Sequence, residues 1–326
     1  MADEPAADPD RAGQSAGRSG GRPSERLSGR LGRCGFVAVI GAPNAGKSTL
    51  VNAIVGAKVS IVTPKQQTTR FRVLGITSRG DTQIILVDTP GIFQPRKRLE
   101  RAMVAAAWSG ASDADEVVLV VDASRRIDGE PMRIVDRLKT AKRPAVLALN
   151  KIDLVAKPEL LRITEVLSRT GAFSDVFMIS ALGGDGTADL VDRLARRLPE
   201  GPWLFPEDQI SDLPERTFAT EITREQLFLA LGQELPYAVS VETESWSERA
   251  DGSVEIRQII NVEREGQKGI VIGAKGGRLG RIGAGARSEL ERLLGCRVHL
   301  FLFVRVQGRW SEDPAYYRDL GLDYKA

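Results

Sequence analysis

The chain has 326 residues, 42% hydrophobic and 27% charged, with a formal net charge of +3. That is ample apolar surface for two buried cores, and the balance does not by itself announce a nucleic-acid partner. The only two cysteines, Cys34 and Cys296, stand far apart, which excludes a disulfide framework and a zinc site and fits a reducing compartment.

Residues 1–33 are rich in Gly, Ser, Pro, Ala and charge and lack the apolar middle of a signal peptide. They read as a disordered tail, its arginines solvated. From Phe36, short β-branched runs alternate with helical stretches. FVAVI (36–40) reads as a strand and STLVNAIVG (48–56) as a helix. FRVLGITS (71–78) and TQIILVD (82–88) read as a hairpin turned at Arg79-Gly80-Asp81. An alanine-rich helix (99–110) precedes three strands, VVLVVDA (117–123), AVLALNK (145–151) and DVFMISA (175–181). This alternation predicts an α/β domain over 34–198, a doubly wound, mostly parallel sheet covered on both faces. No run of about 18 apolar residues occurs that would span a membrane.

The rhythm breaks over 199–216, where Pro199, Pro202, Pro206 and Pro214 mark a linker. Beyond it, a helix (221–235), strands at 237–246 and 253–264 turned at Asp251-Gly252, a glycine-rich region, a helix (286–294) and a strand (297–306) are expected. The order α-β-β-α-α-β defines a smaller α+β domain over 217–326. The single histidine, His299, falls in its last strand and reads as a strand residue.

Gly41-Ala42-Pro43-Asn44-Ala45-Gly46-Lys47-Ser48-Thr49 follows a strand and opens a helix, the context of a phosphate-binding P-loop. Its glycines let backbone N–H groups turn inward around phosphate oxygens, and the helix N-terminus adds positive dipole. Lys47 is expected on the β- and γ-phosphates and Ser48 on Mg²⁺. Asp88-Thr89-Pro90-Gly91-Ile92 closes an apolar strand: Asp88 is placed toward the metal and the Gly91 N–H toward the γ-phosphate. Asn150-Lys151-Ile152-Asp153 and Ser180-Ala181-Leu182 close two more. Asp153 can accept from the guanine amino group that adenine lacks. Asn150 is expected to fix the base edge, the Lys151 stem to lie on the ring, and a backbone N–H at Ser180-Ala181 to meet O6. All sit at carboxyl ends of strands, where open α/β sheets bind ligands. Jointly they specify GTP/GDP with Mg²⁺.

GAPNAGKS, DTPGI, NKID and SAL resemble the phosphate, switch and base motifs of the translation-factor-related GTPases, over roughly residues 35–198. The resemblance implies that Gln67-Thr68-Thr69-Arg70 is the first switch. It puts the Mg²⁺-binding threonine at Thr69, with Thr68 the alternative. Where many such enzymes carry a water-orienting glutamine stands Ile92, so slow intrinsic hydrolysis is expected. In GTPases that share this departure, an asparagine at the position of Asn44 helps to hold K⁺ beside the phosphates. The resemblance thus offers Asn44, beside Lys47, Thr69 and Gly91, as part of the catalytic set. The competing reading is that Asn44 only tightens the turn.

Gly273-Ala274-Lys275-Gly276 fits the GxxG loop of a KH module, which clamps about four nucleotides. The predicted element order around it makes this a type II KH domain. From Arg264 to Arg297 there are 8 basic and 3 acidic residues, a stripe that includes Lys275, Arg278 and Arg281 and suits RNA. One GTPase domain followed by a KH domain, with ELPYAVSVE (234–242) and EREGQKGIVIG (263–273), resembles the Era-like GTPases of bacteria over about 35–326. The segment WSEDPAYYRDLGL (310–322) fits that family in place. The long tail before Phe36 departs from it. The resemblance implies a cytoplasmic monomer that binds the 3′ end region of 16S rRNA and acts in small-subunit assembly, with peripheral association at the inner face of the cell membrane also linked to such proteins. The rival reading is a membrane or cell-cycle signalling switch whose C-terminal domain binds protein. A tandem-GTPase factor is excluded by the single P-loop.

Overall fold

The computed structural model describes residues 31–326. The tail expected over 1–33 therefore lies outside the described residues up to position 30. Leu31–Arg33 do not belong to it: they open the first strand.

The first unit runs β1 (Leu31–Ile40), α1 (Lys47–Val55), β2 (Val73–Arg79), β3 (Thr82–Asp88), α2 (Arg98–Asp113), β4 (Glu116–Asp122), α3 (Glu130–Thr140), β5 (Ala145–Asn150), α4 (Lys157–Ser168), β6 (Phe173–Ile179) and α5 (Thr187–Arg197). The strands lie in the order β2-β3-β1-β4-β5-β6, parallel except for the β2–β3 hairpin. Every position of β3, β4 and β5 is buried, because helices cover both faces; hence these strands read as unbroken apolar runs. Ala107, Ile134, Val135, Leu138, Ile163 and Leu167 of α2, α3 and α4 pack on one face. Leu50, Val51, Leu190 and Leu194 of α1 and α5 pack on the other. Parallel β1, β3, β4 and β5 send their following loops to one edge, and that edge holds the site.

The proline-rich linker is not a free tether. Its Glu200–Pro202 segment (β7) pairs antiparallel with the start of β1. Farther on, the Ile76 N–H donates to Ile210 O (2.8 Å) and the Leu74 N–H to Asp212 Oδ1 (3.3 Å). Between these, the buried Gln83 amide donates to Phe205 O (2.8 Å) and accepts from the Leu204 N–H (2.9 Å). Prolines cannot continue a ladder, which hid these contacts in the sequence.

The second unit runs α6 (Glu215–Ala230), β8 (Val239–Glu248), β9 (Val254–Val262), α7 (Glu265–Ile272), α8 (Gly277–Leu294), β10 (Val298–Val306) and α9 (Pro314–Asp319). The sheet order is β10-β9-β8, with β8 antiparallel and β10 parallel to β9. The element order is the one expected, and His299 lies in β10. Two helix boundaries differ: α6 runs Glu215–Ala230 rather than 221–235, and α8 begins at Gly277, not near 286. Its glycines lower helix propensity, but Ile282, Ala286 and Leu290 recur on one face and are buried. A Cβ on Gly285 would come 2.5 Å from the Gln226 amide oxygen of α6, so small residues let the two helices close up.

Two apolar contacts join the units. Trp310, Tyr317 and Leu322 of the C-terminal segment pack on Leu99, Ala102 and Met103 of α2. Ile61, between α1 and β2, inserts beside Ala219 and Ile222 of α6.

Candidate functional site

The loop between β1 and α1 coils tightly. Asn44 (φ 63°) and Gly46 (φ 97°) both take left-handed backbone, which turns successive amides inward. A Cβ on Gly46 would lie 2.2 Å from Asn150 Nδ2, so only glycine fits there. Asn150 is buried at the end of β5. Its Nδ2 donates to Ala45 O (2.8 Å) and its Oδ1 accepts from the Ala181 N–H (2.9 Å). Asn150 is therefore a strut between two loops. Of the Ser180-Ala181 amides, the Ala181 N–H meets that strut and the Ser180 N–H donates to Asp185 O (3.0 Å). Lys151, also left-handed (φ 65°), donates to Asn44 O (2.9 Å) and Asp122 Oδ2 (2.6 Å), which ties a third loop to the first. Asp153 is exposed in the short turn Ile152–Leu154, and Leu182 is exposed beyond β6.

Lys47 is buried and donates to Gly41 O (3.3 Å) and Ala42 O (3.2 Å). Burial pushes its ammonium down to about 8, with the Asp88 charge pulling the other way; phosphate oxygens would restore the charged form. Ser48 Oγ donates to Asp88 Oδ2 (2.7 Å). Thr69 Oγ1 lies 2.9 Å from Ser48 Oγ and 3.3 Å from Asp88 Oδ2. Thr68, the alternative, is spent inside its own loop, donating to Lys65 O (2.7 Å). Asp88 is fully buried, which raises its carboxyl pKa, and its Oδ1 has no hydrogen-bond partner among the described residues. Three hard oxygens, one of them on a carboxylate with an orphaned mate, suit Mg²⁺.

Pro43, Asn44, Gly46, Lys47, Ser48, Thr49, Thr69 and Gly91 line one cavity of about 310 Å³, joined by Lys151 and by Arg125 after β4. Arg125 was not singled out in the sequence, since it belongs to no spaced motif. Thr89 faces inward, Oγ1 donating to Val39 O (2.8 Å). Beyond Pro90 and Gly91, Ile92 is buried in the core beside Ala107 and Ile134, and its N–H donates to Gly41 O (3.0 Å). The residue in the glutamine position thus points away from the cavity. The Asn44 amide Nδ2 donates to Pro64 O (2.9 Å), so this side chain reaches across to the switch segment.

In the second unit, Gly273 (φ 73°), Lys275 (φ 49°) and Gly276 (φ 77°) form a tight left-handed loop between α7 and α8. Ala274, Lys275 and Arg281 are exposed. Arg278 is only half-buried and donates back to Ile270 O, so it braces the loop as well as lending it charge. Ile270, beside it, is an exposed apolar side chain that the sequence reading passed over.

Fold and site together define a class: a P-loop GTPase carrying a KH module. Two family patterns agree, one described as a 50S ribosome-binding GTPase over residues 36–151 and one as a KH domain over residues 234–311. The chain belongs to the Era family of GTPases. It is 56% identical over 292 residues to GTPase Era of Sinorhizobium medicae strain WSM419, spanning 90% of this chain and 94% of that one. GTPase Era of Rhizobium meliloti strain 1021 is also 56% identical over 292 residues, spanning 90% and 93%. Among solved structures, Era in complex with MgGDPNP and nucleotides 1506–1542 of 16S ribosomal RNA superposes with a TM-score of 0.84 at 39% identity, over 89% of this chain and 99% of that one. A variant of Aquifex aeolicus Era bound to GDP.AlF4⁻ superposes with a TM-score of 0.83, also at 39% identity, over 89% and 99%.

Proposed function

We propose that this chain binds GTP and GDP with Mg²⁺, hydrolyses GTP, and captures 16S rRNA near its 3′ end through the KH loop during small-subunit assembly. One observation carries the nucleotide half: Ser48, Thr69 and Asp88, from three separate segments, bring their oxygens together beside Lys47. Mg²⁺ held there would offset the charge of the β- and γ-phosphates. The loop 41–49 cradles those phosphates, with Lys47 supplying fixed positive charge where negative charge builds. Asp153 selects guanine, and the Lys151 stem covers the ring. Gly91 presents its N–H to the γ-phosphate. Ile92 cannot orient water, so unassisted turnover is slow.

Asn44 supports two readings. Its left-handed backbone fits a turn-maker. Its amide nitrogen on the Pro64 carbonyl also keeps the side chain at the cavity, where its carbonyl oxygen is of the type a K⁺ ion takes next to phosphates. A faster single-turnover rate in KCl than in NaCl at equal ionic strength is the expected result for the ion; equal rates leave only the turn.

Gly273, Ala274, Lys275 and Gly276 let the RNA backbone approach closely, with Arg278 and Arg281 neutralising phosphates. The likeness to the RNA-bound Era supports 16S rRNA as the partner. Nucleotide state and RNA affinity are linked, so each must tighten the other by the same factor. Binding of the full chain to an RNA of the 16S 3′ end, with GDPNP and with GDP, tests this; equal affinity in both states, or equal affinity for an unrelated RNA, would refute it. We place this work in the cytoplasm. No described helix is long and apolar enough to cross a membrane, and flotation with anionic vesicles tests peripheral association at its inner face.

A further inference from the structure

We infer that Arg224, on helix α6 of the KH unit, is a positioning residue for the GTP reaction, holding the backbone of Gln67 and Thr68 so that the Thr69 hydroxyl stays beside Ser48 and Asp88. The inference rests on the reading of Thr69 as a residue that serves metal-bound GTP.

Arg224 is 2% exposed. Its guanidinium donates to Gln67 O (3.3 Å) and to Thr68 O, and it is held by the Glu221 carboxylate (2.8 Å) and by the ring of Phe228, 5.2 Å away. Its planar fork is what allows one side chain to serve two carbonyls and a carboxylate at once. Arg70, on the other side of Thr69, is gripped by the same unit: its guanidinium donates to Val239 O (2.9 Å) and to the Tyr316 hydroxyl (3.0 Å). Thr69 thus has both neighbours anchored in the KH unit while its own side chain faces the P-loop serine and the β3 aspartate.

The remainder of the segment follows the same plan. Lys58 pairs with Glu225 (2.6 Å), whose other oxygen accepts the Val62 N–H (2.9 Å). Lys65 donates to the carbonyls of Phe228 and Leu231 at the C-terminal end of α6, where a cation is also favoured by the helix dipole. The Gln67 amide reaches Glu100 at the start of α2 (3.1 Å). The first switch is therefore seated on α6, so the switch wall of the nucleotide cavity is backed by the RNA-binding unit. A nucleotide with a γ-phosphate and its metal need Thr69 in place; GDP needs it less. Arg224 accordingly acts on the preference for GTP over GDP, not on guanine binding as such.

The test uses the full chain with two variants. Arg224→Lys keeps a charge opposite Glu221 but loses the fork. Arg224→Met with Glu221→Gln removes both buried charges together, so that neither is left unpaired. Dissociation constants for GDPNP and GDP are measured across a Mg²⁺ titration, beside the melting temperature. The expected result is a loss of about ten-fold in GDPNP affinity and a higher Mg²⁺ requirement, with GDP affinity unchanged. An unchanged ratio of the two affinities overturns the inference, whatever happens to the melting temperature, and leaves Arg224 as a fastening between units. Absence of GDP binding by the unaltered chain would instead refute the nucleotide site itself.

Discussion

Asp88 concentrates the tension of the nucleotide site in one side chain. It is a fully buried carboxyl with an orphaned oxygen, and burial raises its pKa. A group whose charged form is disfavoured in the fold weakens the fold at neutral pH until a cation arrives. Asp88→Asn is therefore expected to raise the ligand-free melting temperature by about 2–4 °C and to abolish the rise that Mg²⁺ with GDP gives the unaltered chain. Thermal melts with and without those ligands check this, and a lower melting point for the ligand-free variant would contradict it. At this scale the sequence was informative wherever a motif binds through backbone and spacing, as at Gly46, Lys47 and Ser48. It was silent on Arg224 and on the anchors of Arg70, because Arg224 meets Gln67 and Thr68, and Arg70 meets Val239 and Tyr316, across more than 150 positions of the chain. Asn150 was legible as a site residue but not as a strut, since the spacing of NKID fixes a strand end and not the partner of an amide.

Between α7 and α8 a single residue decides how two elements meet. A Cβ on Gly273, at φ 73°, would lie 2.7 Å from Arg278 Cβ and 3.1 Å from its backbone N. Gly273→Ala should cost about 1–3 kcal/mol and displace α8 relative to α7. RNA binding should weaken while guanine-nucleotide affinity holds, a split that paired titrations of RNA and GDP would reveal. β3, β4 and β5 were readable from the sequence because full burial makes them continuous apolar runs. The glycine-rich start of α8 was not, since local propensity argued against helix and only packing against α6 and the sheet reverses it. β7 escaped notice for the opposite reason: three residues among prolines carry no periodicity.

Across the whole molecule, charge as well as apolar contact joins the two units. Lys58 lies between Glu225 and Glu289, at 2.6 and 2.9 Å. The Glu289 carboxyl is held down at about 2, first by the Arg292 hydrogen bond and then by Lys58. A depressed carboxyl stabilises above its unfolded pKa of about 4.5 and stops doing so as the pH falls toward 2. Acid unfolding should therefore steepen below pH 4.5, and Glu289→Gln should flatten that slope in pH-dependent denaturant melts. The stitched linker bears on how the units move. With Asp212 bound to β2 and α6 starting at Glu215, only Leu213 and Pro214 are left between anchor and helix. Two residues reach at most about 7 Å, so the KH unit cannot drift away; it can only swing about a pivot. Such a swing returns α6 to the same seat each time, and the RNA loop, carried on the same unit, traces an arc whose radius the chain has already set.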